Sequence, residues 1–204
     1  MEDRLIHSVA LRFANWVTRY DPKEDKDFLK LVYGTEVMII NISKLAIVIA
    51  IALWLGVLPH TIALLAGFNV IRRYAFGLHA TNGTVCTAVS VIMFIGVPYL
   101  LKDMMISSLT ALCIFGFILL SLYLYAPADT ESRPLVGEKK RARLKKRAVI
   151  SGLLLMSVVL LLPDGGIKTM LILGAVYETV SILPLSYKIL KRRMNNYDKF
   201  ERTD

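Results

Sequence analysis

Apolar blocks about as long as a bilayer is thick, separated by short charged stretches, constrain this chain more than any motif in it. A hydrocarbon core of roughly 30 Å takes about 20 helical residues, with about 17–25 tolerated. The clearest blocks are Val37–Leu58, Gly83–Leu101 and Ile106–Ala126, followed by the pair Ala148–Pro163 and Ile167–Tyr187. Between the first two lies Pro59–Arg73, apolar but shorter and interrupted by Asn69. It reads either as a further span or as a re-entrant segment, which membranes tolerate only where protein or a wet cavity surrounds it. Apolar residues make up 55% of the 204, above the roughly 45–50% of soluble domains. Two cysteines and this patterning exclude a secreted disulfide scaffold, a fibrous repeat and an ordinary soluble enzyme. The net charge of +9 is no nucleic-acid signature, because the basic residues cluster beside apolar blocks. The fold class is an all-α polytopic membrane protein.

Lysine and arginine bias in short loops orients such a chain. Residues 1–36 hold six basic side chains, residues 127–147 hold eight, and the tail 188–204 holds six. The connections at Lys102-Asp103 and Asp164–Lys168 hold one each. About six transmembrane helices with both termini in the cytoplasm put every rich cluster inside, whereas five put one outside. The chain then divides into a cytoplasmic amphipathic region 1–36, a membrane domain 37–187 with the basic loop 127–147, and a basic tail 188–204. The N-terminus lacks the h-region and cleavage site of a signal peptide. Instead Leu5, Ile6, Val9, Phe13, Trp16, Val17 and Tyr20 recur at helical spacing opposite Arg4, Ser8, Arg12, Asn15 and Arg19. This is the pattern of a helix lying in the membrane interface. No internal repeat of the kind found in secondary transporters is present.

On this topology the stretch from Ile71 to Cys86 is cytoplasmic. It is the one place where a cysteine and a histidine, His79 and Cys86, lie close in sequence. A thiol nucleophile needs a base, most often histidine. On one continuous helix the two would stand roughly 10 Å apart along the axis. The turn pair Asn82-Gly83 favours a break that folds His79 back over Cys86. Cys86 would then occupy the first turn of the third span, where unpaired amides and nearby Arg72 or Arg73 favour thiolate over thiol. The same amides suit an oxyanion. Taken alone, this pair is also compatible with a small buried cysteine and a hydrogen-bonded interfacial histidine. Three scattered histidines offer no metal-ligand spacing, and no cofactor motif appears.

The run Arg72-x4-Gly77-x-His79-Ala80-x5-Cys86 resembles the core of the accessory gene regulator protein B family, AgrB. These are membrane cysteine endopeptidases of Gram-positive bacteria that process quorum-sensing propeptides. The likeness extends to Tyr33-Gly34-x-Glu36 with Asn41-x-x-Lys44, and to Ala126-Pro127-x-Asp129-Thr130-x3-Pro134-Leu135 before the basic run. One departure stands out: many members carry Gly-Gly before x-His, where this chain has Phe76-Gly77. The resemblance implies Cys86 as nucleophile and His79 as base. It also implies an acyl-thioester on Cys86 that a thiol or hydroxyl of the propeptide captures as a (thio)lactone ring. Arg72 is expected to act electrostatically or on a substrate carboxylate, and Gly77 conformationally. A propeptide partner of the AgrD type and a homodimer in the bacterial cell membrane follow from the same likeness, with no cofactor and no nucleic acid.

Lys139, Lys140 and Arg141 are expected to meet anionic lipid headgroups or acidic parts of the substrate, beside their topological role. Glu178 sits mid-span, where an ionisable group marks function or an internal pair; Lys44 is the partner the sequence offers. Asn41 and Asn69 read as inter-helix hydrogen bonds. Cys113, inside an apolar run, is no nucleophile. His7 belongs to the polar side of the N-terminal helix, and His60 lies at the opposite membrane face. The alternative from another class is a small membrane transporter or peptide exporter without covalent chemistry, which intramembrane Glu178 and Lys44 would suit. A membrane scaffold, indifferent to Cys86 and His79, is the third reading.

Overall fold

The computed structural model describes residues 2–19, 25–78, 83–131 and 134–201. The chain forms two compact units, residues 1–51 and 52–204. Both are helical, and among the described residues β pairing is confined to a single parallel bridge between Phe76 and Ala128.

In the first unit, α1 (Glu2–Thr18) is followed by α2 (Asp25–Trp54), whose last turn belongs to the second unit. Ala10 and Ala14 are buried against Val32, with Leu11, Phe28 and Leu31 around them. Small residues let the two helices approach closely, and His7 Nδ1 pairs with Glu36 across them. The face expected to be apolar stays outward: Val9, Phe13 and Trp16 are all exposed. The helix that carries the first apolar block begins at Asp25 rather than Val37. Nothing from Asp25 to Glu36 breaks a helix, and Asp25 and Asp27 complement the dipole of its first turn.

The second unit is built on α3 (Leu58–Ala75), α6 (Ser108–Tyr125), α7 (Glu138–Leu161) and α8 (Gly166–Ile182). Its core joins Ile71 and Ala75 of α3 to Phe115, Ile118 and Leu122 of α6, with Ala148 of α7 and Ile172 of α8. Helices α3 and α8 meet backbone to backbone, because a Cβ on Gly67 would strike the Leu171 carbonyl and one on Gly174 the Leu64 carbonyl. Small residues at such contacts are how helices associate where apolar surroundings supply no hydrophobic drive.

Directions within this unit follow from its contacts. The start of α3 at His60 adjoins the start of α8 at Gly166, and its end at Gly77 adjoins Ser181. Lys168 Nζ near the start of α8 donates to Ser108 Oγ at the start of α6, 2.7 Å away. Helices α3, α6 and α8 therefore run the same way. Helix α7 runs against them, since Lys145 lies over Tyr123 near the end of α6 and Arg147 beside Tyr74 near the end of α3. The segment 59–73, open between span and re-entrant loop in sequence, is an unbroken helix of 18 residues in α3, about 27 Å long at 1.5 Å per residue.

Between them, α4 (Gly83–Val91) and α5 (Val97–Leu101) are joined through a π-helical turn, Ile92–Gly96. Pro98 has no N–H to give the Phe94 carbonyl one turn back. Thr61 Oγ1 supplies that donor instead, at 2.9 Å. The last apolar block is not one helix. Leu183 is extended before Pro184, as the residue preceding a proline prefers, and α9 (Pro184–Ile189) starts a new direction before α10 (Asp198–Glu201). From Glu138 onward the basic run is helical and forms the first turns of α7.

Among the described residues two helices are long and apolar enough to cross a membrane: Asp27–Trp54 and Ser108–Tyr125. Little of either is buried within the protein, so neither is a core helix of the soluble kind. Thr87–Leu101 is apolar but shorter. Helices α3 and α7 are less apolar because Arg72-Arg73 ends the first and the basic run opens the second, and α8 is shorter, at 17 residues.

Candidate functional site

Helix α3 ends in a hook. Phe76 has φ 62° while its N–H still reaches back to the Arg72 carbonyl, and Gly77 follows at φ 116°. Both values lie in the left-handed region that glycine adopts freely. Phe76, without glycine's freedom, nonetheless adopts a glycine-like backbone here. At Gly77 a side chain meets a second obstacle: a Cβ would clash with Ser181 Oγ and lie 3.2 Å from Ile182.

The hook is tied on both sides. Gly77 N–H donates to the Ala128 carbonyl at 3.0 Å, and Ala128 N–H donates to the Ala75 carbonyl at 2.8 Å. This stitches the end of α3 to the strap 126–130 that leaves α6. Leu78 N–H donates to the Ser181 carbonyl at 3.4 Å, and the Leu78 carbonyl accepts from Arg72 Nη2 at 3.0 Å. The other arm of the Arg72 guanidinium holds Glu178 Oε2 at 2.8 Å, and Phe68 lies beneath it, 5.0 Å from the ring centre. Glu178 is fully buried, and Arg72 is partly buried, with 16% of its side chain exposed. The partner of Glu178 is thus Arg72, where the sequence pointed to Lys44.

Hook and strap enclose a cavity of about 250 Å³. Arg72, Arg73, Phe76 and Gly77 line one side, and Ala128, Asp129 and Thr130 the other. Since Arg72 is spent on Glu178 and Leu78, the exposed Arg73 is the cation that this cavity offers to a ligand. Asp129 is buried, and both its carboxylate oxygens accept backbone amides of the C-terminal segment: Oδ1 from Asn196 and Oδ2 from Tyr197, each at 3.0 Å. Its carbonyl accepts from the Tyr187 hydroxyl at 2.8 Å.

Three of the residues singled out from sequence, Arg72, Gly77 and Glu178, therefore meet at one point. Cys86 falls in the first turn of α4 by its backbone, with its side chain outside the described residues, as is all of His79. Lys139 and Lys140 are exposed on the first turn of α7. Arg141 is occupied internally, by Glu201 through both guanidinium arms, by the Leu135 carbonyl and by the Tyr197 ring 3.8 Å away. Hydrogen bonding to Glu201 raises the pKa of Arg141, while the same bond, with one from Gly137 N–H, lowers that of Glu201. Cys113 is a free, exposed thiol on α6. Asn69 bonds the Leu65 carbonyl of its own helix and not a neighbouring one, because its side chain points away from the packed face. Arg73 was named only as a neighbour of Cys86, and the Asp129 knot was not foreseen. Asp129 carried a signal in the Ala126-Pro127-x-Asp129-Thr130 run, but its partners lie 67 and 68 positions away.

The family described as accessory gene regulator B matches residues 10–182, a span that includes the hook, the strap and Cys86. This chain belongs to that family. A putative AgrB-like protein of Clostridium acetobutylicum is 47% identical over 98% of this chain and 94% of its own length. Another from Listeria monocytogenes is 44% identical over 88% of each chain. The accessory gene regulator protein B of Staphylococcus epidermidis is 27% identical over 90% of this chain and 94% of its own length. No solved structure matches. Accessory gene regulator B proteins thus provide the frame for the site, although the Asp129 knot draws on residues beyond the matched span.

Proposed function

We propose that this accessory gene regulator B protein is a membrane-embedded cysteine endopeptidase. It cleaves the C-terminal tail from a quorum-sensing propeptide of the AgrD type and passes the acyl group on to close a ring. The reading places it in the bacterial cell membrane, crossing six times, as a homodimer. Supporting the alternation are the common direction of α3, α6 and α8 and the opposite run of α7. Basic side chains open α7, where the helix dipole disfavours them, so another demand keeps them there. Cytoplasmic retention and contact with anionic headgroups or an acidic substrate are such demands, and exposed Lys139 and Lys140 meet them.

One observation carries the catalytic part. Both backbone groups of Leu78, the residue preceding His79, are hydrogen-bonded, and they lie beside a cavity at the end of α3. A base whose chain is fixed at its root costs less entropy to orient than one on a free loop. In the reaction the Cys86 thiolate attacks the scissile carbonyl carbon. The resulting oxyanion suits the unpaired amides of the first turn of α4. The C–N bond then breaks, and protonated His79 gives its proton to the departing amine. The acyl-thioester keeps its transfer potential, so a thiol (or hydroxyl) of the same propeptide, giving its proton to the now neutral His79, displaces Cys86, closing the ring and freeing the Cys86 thiolate. No oxidant or cofactor enters this balance. The transporter alternative loses one of its two supports, because Glu178 is neutralised by Arg72.

The test is mass spectrometry of a candidate propeptide incubated with reconstituted protein, comparing wild type with Cys86→Ala and His79→Ala. Tail release by wild type alone, with a thiol-sensitive adduct on Cys86, is the expected result. Cleavage surviving in Cys86→Ala overturns the mechanism.

A further inference from the structure

The C-terminal segment is built into the site from outside the region that defines the family. The family match ends at residue 182, yet the two amides that satisfy Asp129 belong to Asn196 and Tyr197. Asn195 takes φ 56°, a left-handed turn that asparagine tolerates, and this turn presents the two successive N–H groups to one carboxylate. Beyond it, Glu201 is clasped by Arg141 and by the Gly137 N–H at the start of α7. The segment is thus anchored at both ends onto the chain that surrounds the cavity.

The geometry points to Asp129 as a positioning residue of the site, with residues 195–201 as the latch that holds it; this inference rests on the endopeptidase reading above. Apart from this segment, the strap is held by its stitch to the hook and by the Tyr187 hydroxyl on the Asp129 carbonyl. Ala128 is stitched to the hook, and the next residue is the buried Asp129, whose charge must be satisfied where it sits. With the latch in place, both carboxylate oxygens are used inside the protein and the strap has one position. Without it, the carboxylate has to turn towards the cavity or towards water. Either movement pulls Ala128 from Gly77, and Gly77 is two residues from His79. Asp129 acts through the hook and touches no reacting atom.

Two perturbations reach the latch from opposite sides. Asp129→Asn turns an amide N–H₂ towards one of the two donors, and a chain ending at Met194 removes both donors. Full-length protein, each single variant and the combined variant are reconstituted in nanodiscs. Hydrogen exchange is followed for the backbone amides of Gly77 and Ala128, and kcat and KM are measured on the propeptide that wild type cleaves. Each single change is expected to speed exchange at both amides and to lower kcat about tenfold with KM little altered, a loss of roughly 1.4 kcal/mol in transition-state stabilisation. The combined variant should match the singles, since one latch can be opened only once. Unchanged exchange at both amides in both singles overturns the proposal, as does an additive loss in the combined variant. Exchange is read on the protein alone. If wild type cleaves no propeptide, the endopeptidase reading fails and the exchange result still decides the latch.

Discussion

Arg72 and Glu178 stand 106 residues apart in sequence and 2.8 Å apart in the folded protein, joined across the closest helix contact of the bundle. The pair does two things with one guanidinium. It neutralises a fully buried carboxylate on α8, and its second arm fixes the Leu78 carbonyl at the root of the segment leading to His79. This is a different office from binding a substrate carboxylate, which Arg73 at the cavity wall is free to do.

Removing one partner of a buried pair leaves the other charge uncompensated, a loss of about 3–5 kcal/mol. Glu178→Ala is expected to lower stability by that order in a denaturant titration in mixed micelles. Arg72→Lys keeps the charge but cannot hold Glu178 and Leu78 together, because an ammonium lacks the planar fork. It should therefore retain more of the stability than of the cleavage rate. Equal stability of Glu178→Ala and wild type would show that the pair is not formed.

Gly77→Ala combines a left-handed backbone with a steric clash against Ser181. Backbone strain of this type costs of order 1–3 kcal/mol, so the hook should open before the bundle unfolds. The expected outcome is a large fall in propeptide cleavage with insertion into the membrane retained. Gly34→Ala, where a Cβ meets open space, serves as the control and should be near wild type. Adding Ser181→Gly to Gly77→Ala removes the clash and leaves the strain, so recovery should be partial.

What the residues revealed in advance was whatever depends on local pattern. The apolar blocks located every long helix, and Arg72, Gly77 and Glu178 drew attention for what turned out to be one contact. Boundaries were lost where local signals are silent: α2 starts at Asp25 because nothing between it and Val37 stops a helix, and α7 absorbs the basic run because lysine and arginine are good helix formers. Partners were lost where they depend on distance in sequence. Lys44 was the partner the sequence offered for Glu178, since charge alone carries no address. Asp129 was visible as part of a motif, but the two amides that satisfy it carry no side-chain signature at all.

Thr61 and Phe94 offer a test of the kink in the third apolar block. Thr61→Val keeps the shape and removes the hydroxyl that replaces the N–H absent from Pro98. A carbonyl shielded from water and left without a donor costs up to about 1–3 kcal/mol, and the Phe94 carbonyl is partly buried. Thr61→Val is expected to destabilise by that order, and Thr61→Val with Pro98→Ala should recover much of it, because alanine restores the helical donor. Additive losses in the double variant would rule out the substitution of one donor for the other.

The clasp between Arg141 and Glu201 sets a pH dependence whose sign is fixed by the hydrogen bonds. Glu201 titrates below the ordinary glutamate value of 4.5, first because Arg141 donates to it and next because Gly137 N–H does. A carboxylate depressed on folding contributes stability above its unfolded pKa and loses that contribution as the pH falls through the folded one. The clasp should therefore be intact at neutral pH and open only in acid, below about 4.5. Its neighbours bear on the same balance: Tyr197 beneath the guanidinium, Glu138 acting on Arg141, and Asp198 acting on Tyr197. Salt should weaken it, since Glu201 is exposed. Carbon-13 titration of the Glu201 carboxyl in micelles gives the check. A midpoint below that of a free glutamate, rising in Arg141→Gln, is the expected result. A midpoint unmoved by Arg141→Gln would mean that the tail is not held to α7 by this pair, and that the latch over Asp129 must rest on the two backbone amides alone.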